Sequence, residues 1–131
     1  MFFILLLMCS SLNAQQHAVN QYPQIYFDRG VELYEEGRYN AAISQFDEYF
    51  RNSNPTLINT DASFYYAMSK LKAEHDDAVA SVVSFLNQNP NSVKSSLANM
   101  ALGDFYYRKE KYSTALSYYR NVDFGGVSLD L

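Results

Sequence analysis

The chain has 131 residues, enough for one small domain or a short array of repeats, and its 48% hydrophobic content excludes general disorder. The net charge of −4 comes from 14 acidic and 10 basic residues, dispersed beyond position 27 without a Lys/Arg run, which excludes the electrostatic footprint of a nucleic-acid binder. A single cysteine, Cys9, excludes an intrachain disulfide and a Cys-based metal site.

The first element in chain order is the apolar run Met1 to Cys9, too short to span a bilayer, which needs roughly 20 residues. With Ser10-Ser11-Leu12-Asn13-Ala14 after it, the run reads as a secretory signal peptide over 1–14, cleaved after Ala14. No basic residue precedes the apolar run, and a buried first strand or helix is the competing reading. Met8 before Cys9 matches a lipidation site poorly. A polar lead-in over 15–22 follows, and the expected location is the periplasm or an outer-membrane-associated compartment.

Beyond it, apolar periodicity predicts six helices in three pairs, at about 23–36 and 39–52, 61–73 and 76–88, and 93–109 and 112–122. Gly37 marks the first tight turn, because glycine adopts the left-handed backbone of a helix C-terminus most easily. Pro55 and Pro90 stop the second and fourth helices. Thr60 or Asp61, and Ser92, are the expected N-caps.

The pairs keep one beat. Small residues Gly30, Ala67 and Gly103 are spaced 37 and 36 apart, and Ala42, Ala78 and Ala115 are spaced 36 and 37. Three larger columns follow: Tyr39, His75 and Tyr112; Phe46, Val82 and Tyr119; Tyr49, Phe85 and Val122. Small residues let two helices approach closely, and the large ones fill the space between hairpins. The expected division is repeat 1 over 23–55, repeat 2 over 56–91, repeat 3 over 92–123, and a connector over 124–131. Copy two has one residue fewer in its turn and no glycine there. No polar capping helix follows Val122, so we expect an N-terminal piece of a longer array, or a short protein that caps itself by self-association through the C-terminal hairpin.

These columns resemble the tetratricopeptide repeat. Leu102-Gly103-x-x-Tyr106 with Ala115-x3-Tyr119 is the clearest copy; Gly30-x-x-Leu33 with Ala42-x3-Phe46 and Pro55, and Ala67 with Ala78-x3-Val82 and Pro90, are the others. The family's tryptophan is absent, and the period exceeds its usual ~34 residues. The long connections and signal-like start are similar to cell-envelope members of the β-barrel-assembly lipoprotein and Tol-Pal coordinator types. The resemblance implies an all-α solenoid of about three hairpins, acting as a non-catalytic protein-interaction scaffold in the bacterial envelope. It implies a concave groove presenting Val31, Tyr34 and Glu35 from the first copy, Met68, Leu71 and Lys72 from the second, and Asp104, Tyr107 and Arg108 from the third. Members that grip a C-terminal carboxylate use asparagine where this chain has Val31, Met68 and Asp104, so that activity is not expected.

No catalytic constellation emerges. Gly125-Gly126 is a lone pair without a phosphate-loop pattern, and His17 and His75 lack metal-ligand spacing. Asp76-Asp77 reads as negative charge at a helix start, and His75 as a partly buried spacer in an aromatic column. The expectation is no enzyme, cofactor, metal or nucleic acid. The partner is a protein or peptide. Self-assembly through uncapped edge hairpins is the alternative, and a cell-wall glycan-proximal module, suggested by exposed aromatics, the minor one.

Overall fold

A computed structural model describes residues 22–125. The signal-peptide reading over 1–14, Cys9, His17 and the end of the 124–131 connector lie outside the described residues. The described part is all-helical and contains no strand: α1 (22–35), α2 (Tyr39–Asn52), a 3-10 turn (Pro55–Leu57), α3 (Thr60–Lys72), α4 (Ala78–Gln88), α5 (Val93–Arg108) and α6 (Tyr112–Tyr119). The helices form three successive hairpins, α1–α2, α3–α4 and α5–α6, the arrangement of an α-solenoid. Helix α3 packs on α2 and α4, and α5 packs on α3, α4 and α6.

Two apolar clusters hold the hairpins together. Leu33, Ala42 and Phe46 form one between α1 and α2. Phe64, Met68, Leu71, Val82, Phe85 and Leu102 anchor a larger one spanning α3, α4 and α5. Tyr34 and Tyr65 pack against both, with ring centroids 5.2 Å apart, and so stitch the first hairpin to the second. Full burial of a Phe46-sized side chain contributes about 1.5–3 kcal/mol.

The small-residue columns have a steric cause. A Cβ on Gly30 would lie 2.7 Å from the Phe46 ring, and a Cβ on Gly103 would collide with Tyr119. In the second hairpin the partner of the column is Val82, and Ala67 is accommodated there with both residues buried. A smaller side chain on one helix thus allows a methyl group on the other.

The turns reverse by a left-handed residue each time. Gly37 has φ +75°, whereas Glu74 (φ 53°) and Glu110 (φ 60°) take the corresponding role without being glycine. The connection after α2 is fixed from below by Tyr49, whose hydroxyl accepts the Asn59 N–H at 3.0 Å. Pro55 opens the 3-10 turn there, and Pro90 follows the end of α4.

Four local expectations are corrected. The N-cap of α3 is Asn59, which accepts the Asp61 N–H at 2.8 Å; Thr60 and Asp61 are already helical. Helix α4 starts at Ala78, because Asp77 makes no side-chain cap bond and instead accepts the Lys70 ammonium at 2.6 Å. His75 is exposed rather than partly buried, its Nε2 2.8 Å from Asn40 Oδ1, because it follows the left-handed Glu74 in the turn, the place that Arg38 and Lys111 hold in the other hairpins. Helix α6 ends at Tyr119 and not at 122. Val122 folds inward and the Asp123 N–H donates to Ser96 Oγ at 3.0 Å in place of a helical bond. Ser92 caps α5 as expected, accepting the Lys94 N–H at 3.2 Å.

Candidate functional site

Stacking first helices of consecutive hairpins leaves a depression between α1 and α3. Phe27, Asp28, Val31, Glu32 and Glu35 line it from α1, and Asp61 and Tyr65 from α3, around about 380 Å³. The α1 contributors recur every three to four residues, which puts them on one helical face. Asp61 and Tyr65 stand one turn apart on α3 for the same reason. The rim is strongly acidic, with carboxylates at 28, 32, 35 and 61, and the wall is aromatic.

One of these carboxylates is already engaged by a cation. Lys94, from the first turn of α5, places its ammonium 3.5 Å from Asp61 Oδ1, 4.9 Å from the Phe64 ring centre and 5.0 Å from that of Tyr65. An ammonium group between a carboxylate and aromatic faces gains from both Coulomb attraction and the ring quadrupole. On the other side of the depression, Arg29 pairs with Glu32 at 2.5 Å on the exposed face of α1. Asp28 and Glu35 point into the opening without a basic partner of their own among the described residues.

Of the nine residues implied for a groove, Val31 and Glu35 line this depression. Tyr34 is half-buried, edge-on to Tyr39 and Tyr65, and burial pushes its phenol up from the ordinary value, with the two neighbouring phenols adding to the effect. Met68 and Leu71 are corrected: each is 3% exposed, in the large apolar cluster, and neither can meet a ligand. The cause is that α5 covers the part of α3 that bears them. Lys72 is exposed near the end of α3.

Asp104, Tyr107 and Arg108 sit outside the depression, on α5 at the last hairpin. Asp104 accepts the Tyr119 hydroxyl at 2.7 Å, and this hydrogen bond pushes the Tyr119 phenol up to about 12, with burial and the charge of Asp104 assisting. Tyr107 lies edge-on to Tyr112 with ring centroids 5.3 Å apart. Both are open to solvent.

Phe27, Asp28, Glu32, Asp61 and Tyr65 were not foreseen as lining residues. The α1 members could have been found by carrying the helical period back from Val31 and Glu35. Asp61 and Tyr65 required knowing how α3 is rotated against α1, which the columns alone do not give.

A second depression of about 410 Å³ opens on the opposite side of α3, among Phe50, Tyr66, Ser81, Ser84 and Phe85. It is more apolar and lacks carboxylates. Among the described residues no group of three His, Cys, Asp or Glu side chains is placed to hold a metal ion. No described helix is long and apolar enough to cross a membrane. No protein-family model, curated protein or solved structure matches the chain.

Proposed function

We propose that the chain is a non-catalytic interaction scaffold of tetratricopeptide-like hairpins, exported to the cell envelope, that receives a cationic segment of a partner protein between α1 and α3. The observation that carries this reading is the depression itself: an acidic rim over an aromatic wall, between first helices of consecutive hairpins. Lys94 supplies a precedent for the recognition chemistry, since the chain's own ammonium group settles against Asp61 and Tyr65 at the next interval along the array. A lysine or arginine from outside finds the same two kinds of group beside Asp28 and Glu35. The apolar start of the sequence, with its cleavage-like Ala14, supports export.

Site-specific photo-crosslinking in envelope extract tests this. A crosslinking residue at Val31 or Glu35 is expected to capture a discrete partner, and one at Ser84, on the opposite side, is not. Asp28→Lys combined with Glu35→Lys should abolish the adducts while leaving the melting temperature within a few degrees of wild type, since both side chains are exposed. Adducts of equal yield at Ser84, or adducts insensitive to the double charge reversal, would sink the assignment.

A further inference from the structure

The two ends of the array differ in charge sign. Residues 22–36 carry four carboxylates against Arg29 alone, whereas residues 107–120 carry four Lys or Arg against Glu110 alone, so the segments bear −3 and +3. Both ends also expose apolar side chains. Tyr22 and Ile25 (64% exposed) stand on α1, and Tyr107, Tyr112 and Leu116 stand on the α5–α6 edge.

Inside the chain, the same kind of edge is covered. Tyr34, Tyr39 and Ile43 precede Tyr107, Tyr112 and Leu116 by a constant 73 residues, and α3 lies over them. Ile43 is 7% exposed and Leu116 is 49% exposed, although they hold corresponding places. Helix α3 does this with Tyr65, edge-on to Tyr34, while Ala62 in its first turn is fully buried. The residues of α1 that stand 37 positions before Ala62 and Tyr65 are Ile25 and Asp28.

We propose that α1 of a second copy docks on the α5–α6 edge as α3 docks on α1–α2, giving a head-to-tail assembly. Ile25 then enters the edge in the place that Ala62, fully buried, takes inside the chain. Asp28 comes to Arg108, because the corresponding internal pair, Tyr65 and Glu35, shares one depression. Inside the chain that place offers Glu35 no cation, whereas between copies it pairs opposite charges. Such a contact joins two different surfaces, so each added copy leaves one edge of each kind free, and assembly continues unless the rotation closes a ring.

Sedimentation velocity of the full chain over a concentration series, at low and high salt, tests this. Wild type is expected to form a concentration-dependent series of oligomers that weakens as salt screens the end charges. Ile25→Asp and Leu116→Asp each block one edge, so each alone should be monomeric, and their mixture should give a one-to-one dimer and nothing larger. Arg108→Glu should raise the apparent dissociation constant several-fold, and Asp28→Arg in the second variant should restore it. Circular dichroism checks each variant's fold; should Leu116→Asp unfold, Tyr112→Asp blocks the same edge. A wild type that stays monomeric throughout overturns the proposal. So does pairing that Leu116→Asp abolishes and Ile25→Asp leaves untouched, which would mean two like edges meeting. Assembly indifferent to both variants overturns it as well.

Discussion

The first and third hairpins hold the same columns and live in different surroundings. Phe46 and Tyr119 each lie under a glycine of the partner helix, yet Phe46 is fully buried and Tyr119 is half-buried with its hydroxyl on Asp104. Tyr34–Tyr39 and Tyr107–Tyr112 are both edge-to-face pairs, at 5.6 and 5.3 Å. The first pair is capped by Tyr65 from α3, and the second is 59% and 57% exposed. Local packing inside a hairpin is therefore set by its own sequence. Burial of its outer face is set by whatever comes next.

Phe46→Ala against Tyr119→Ala is the largest test of this contrast. The first empties a site sealed by Phe27 and Tyr65 and should cost about 3–5 kcal/mol. The second removes a ring already in contact with water and one hydrogen bond, and should cost about 1 kcal/mol. Urea denaturation of both variants measures the difference, and equal losses would mean that the third hairpin is as well packed as the first.

Adding a single methyl group probes the same sites from the other helix. Gly30→Ala should destabilise by about 1–3 kcal/mol, since the Phe46 ring has nowhere to retreat. At Gly103 the ring can swing outward, and alanine regains about 0.5–1 kcal/mol of helix preference. Gly103→Ala is therefore expected to be close to neutral in a thermal melt. Its Tyr119 phenol, released from Asp104, should then titrate below the present value of about 12, which ultraviolet difference spectra would follow.

The turns sharpen the comparison at a smaller scale. Gly37→Ala forces a side chain into the left-handed region and should cost about 1 kcal/mol, whereas Glu110→Gly relieves the same strain and should gain a few tenths up to about 1 kcal/mol. Chemical denaturation that moves both variants in the same direction would refute the strain argument.

The smallest effect is a pH dependence confined to the middle of the array. A hydrogen bond from Lys70 holds the Asp77 carboxyl below its ordinary value, and one from Lys109 does the same for Glu74. Because both carboxyls are lowered on folding, their contribution is present at neutral pH, begins to fade as pH falls through the ordinary values of 3.8 and 4.5, and is gone below the folded ones. Both groups are fully solvated, so salt should shrink the effect. Lys109→Met should remove the Glu74 part of the slope in melts between neutral and acidic pH; an unchanged profile would show that this pair contributes nothing.

Much of the architecture was readable from residue order. Helix pairs, the glycine turn at Gly37 and the prolines in the connections all follow from short-range rules, because backbone propensity and helical period act within a few residues; that the Phe46 ring lies on Gly30 of its own hairpin, and not only between hairpins, came from the structure. The candidate site was readable only in part. Val31 and Glu35 line the depression between α1 and α3, whereas Met68 and Leu71, placed by the same correspondence, lie in the core.

Residue order alone specifies the hairpin: which stretches are helical, to within a few residues at their ends, and where each chain reversal falls. Only the tertiary structure decided which face stays open. Met68 and Leu71 are covered because α5 stacks on α3, Tyr34 is half-covered because Tyr65 reaches it, and Tyr107 is exposed because no described helix lies over it. Stacking between hairpins fixes these exposures through rotations of one helix against the next, a quantity that no periodicity along a single helix encodes.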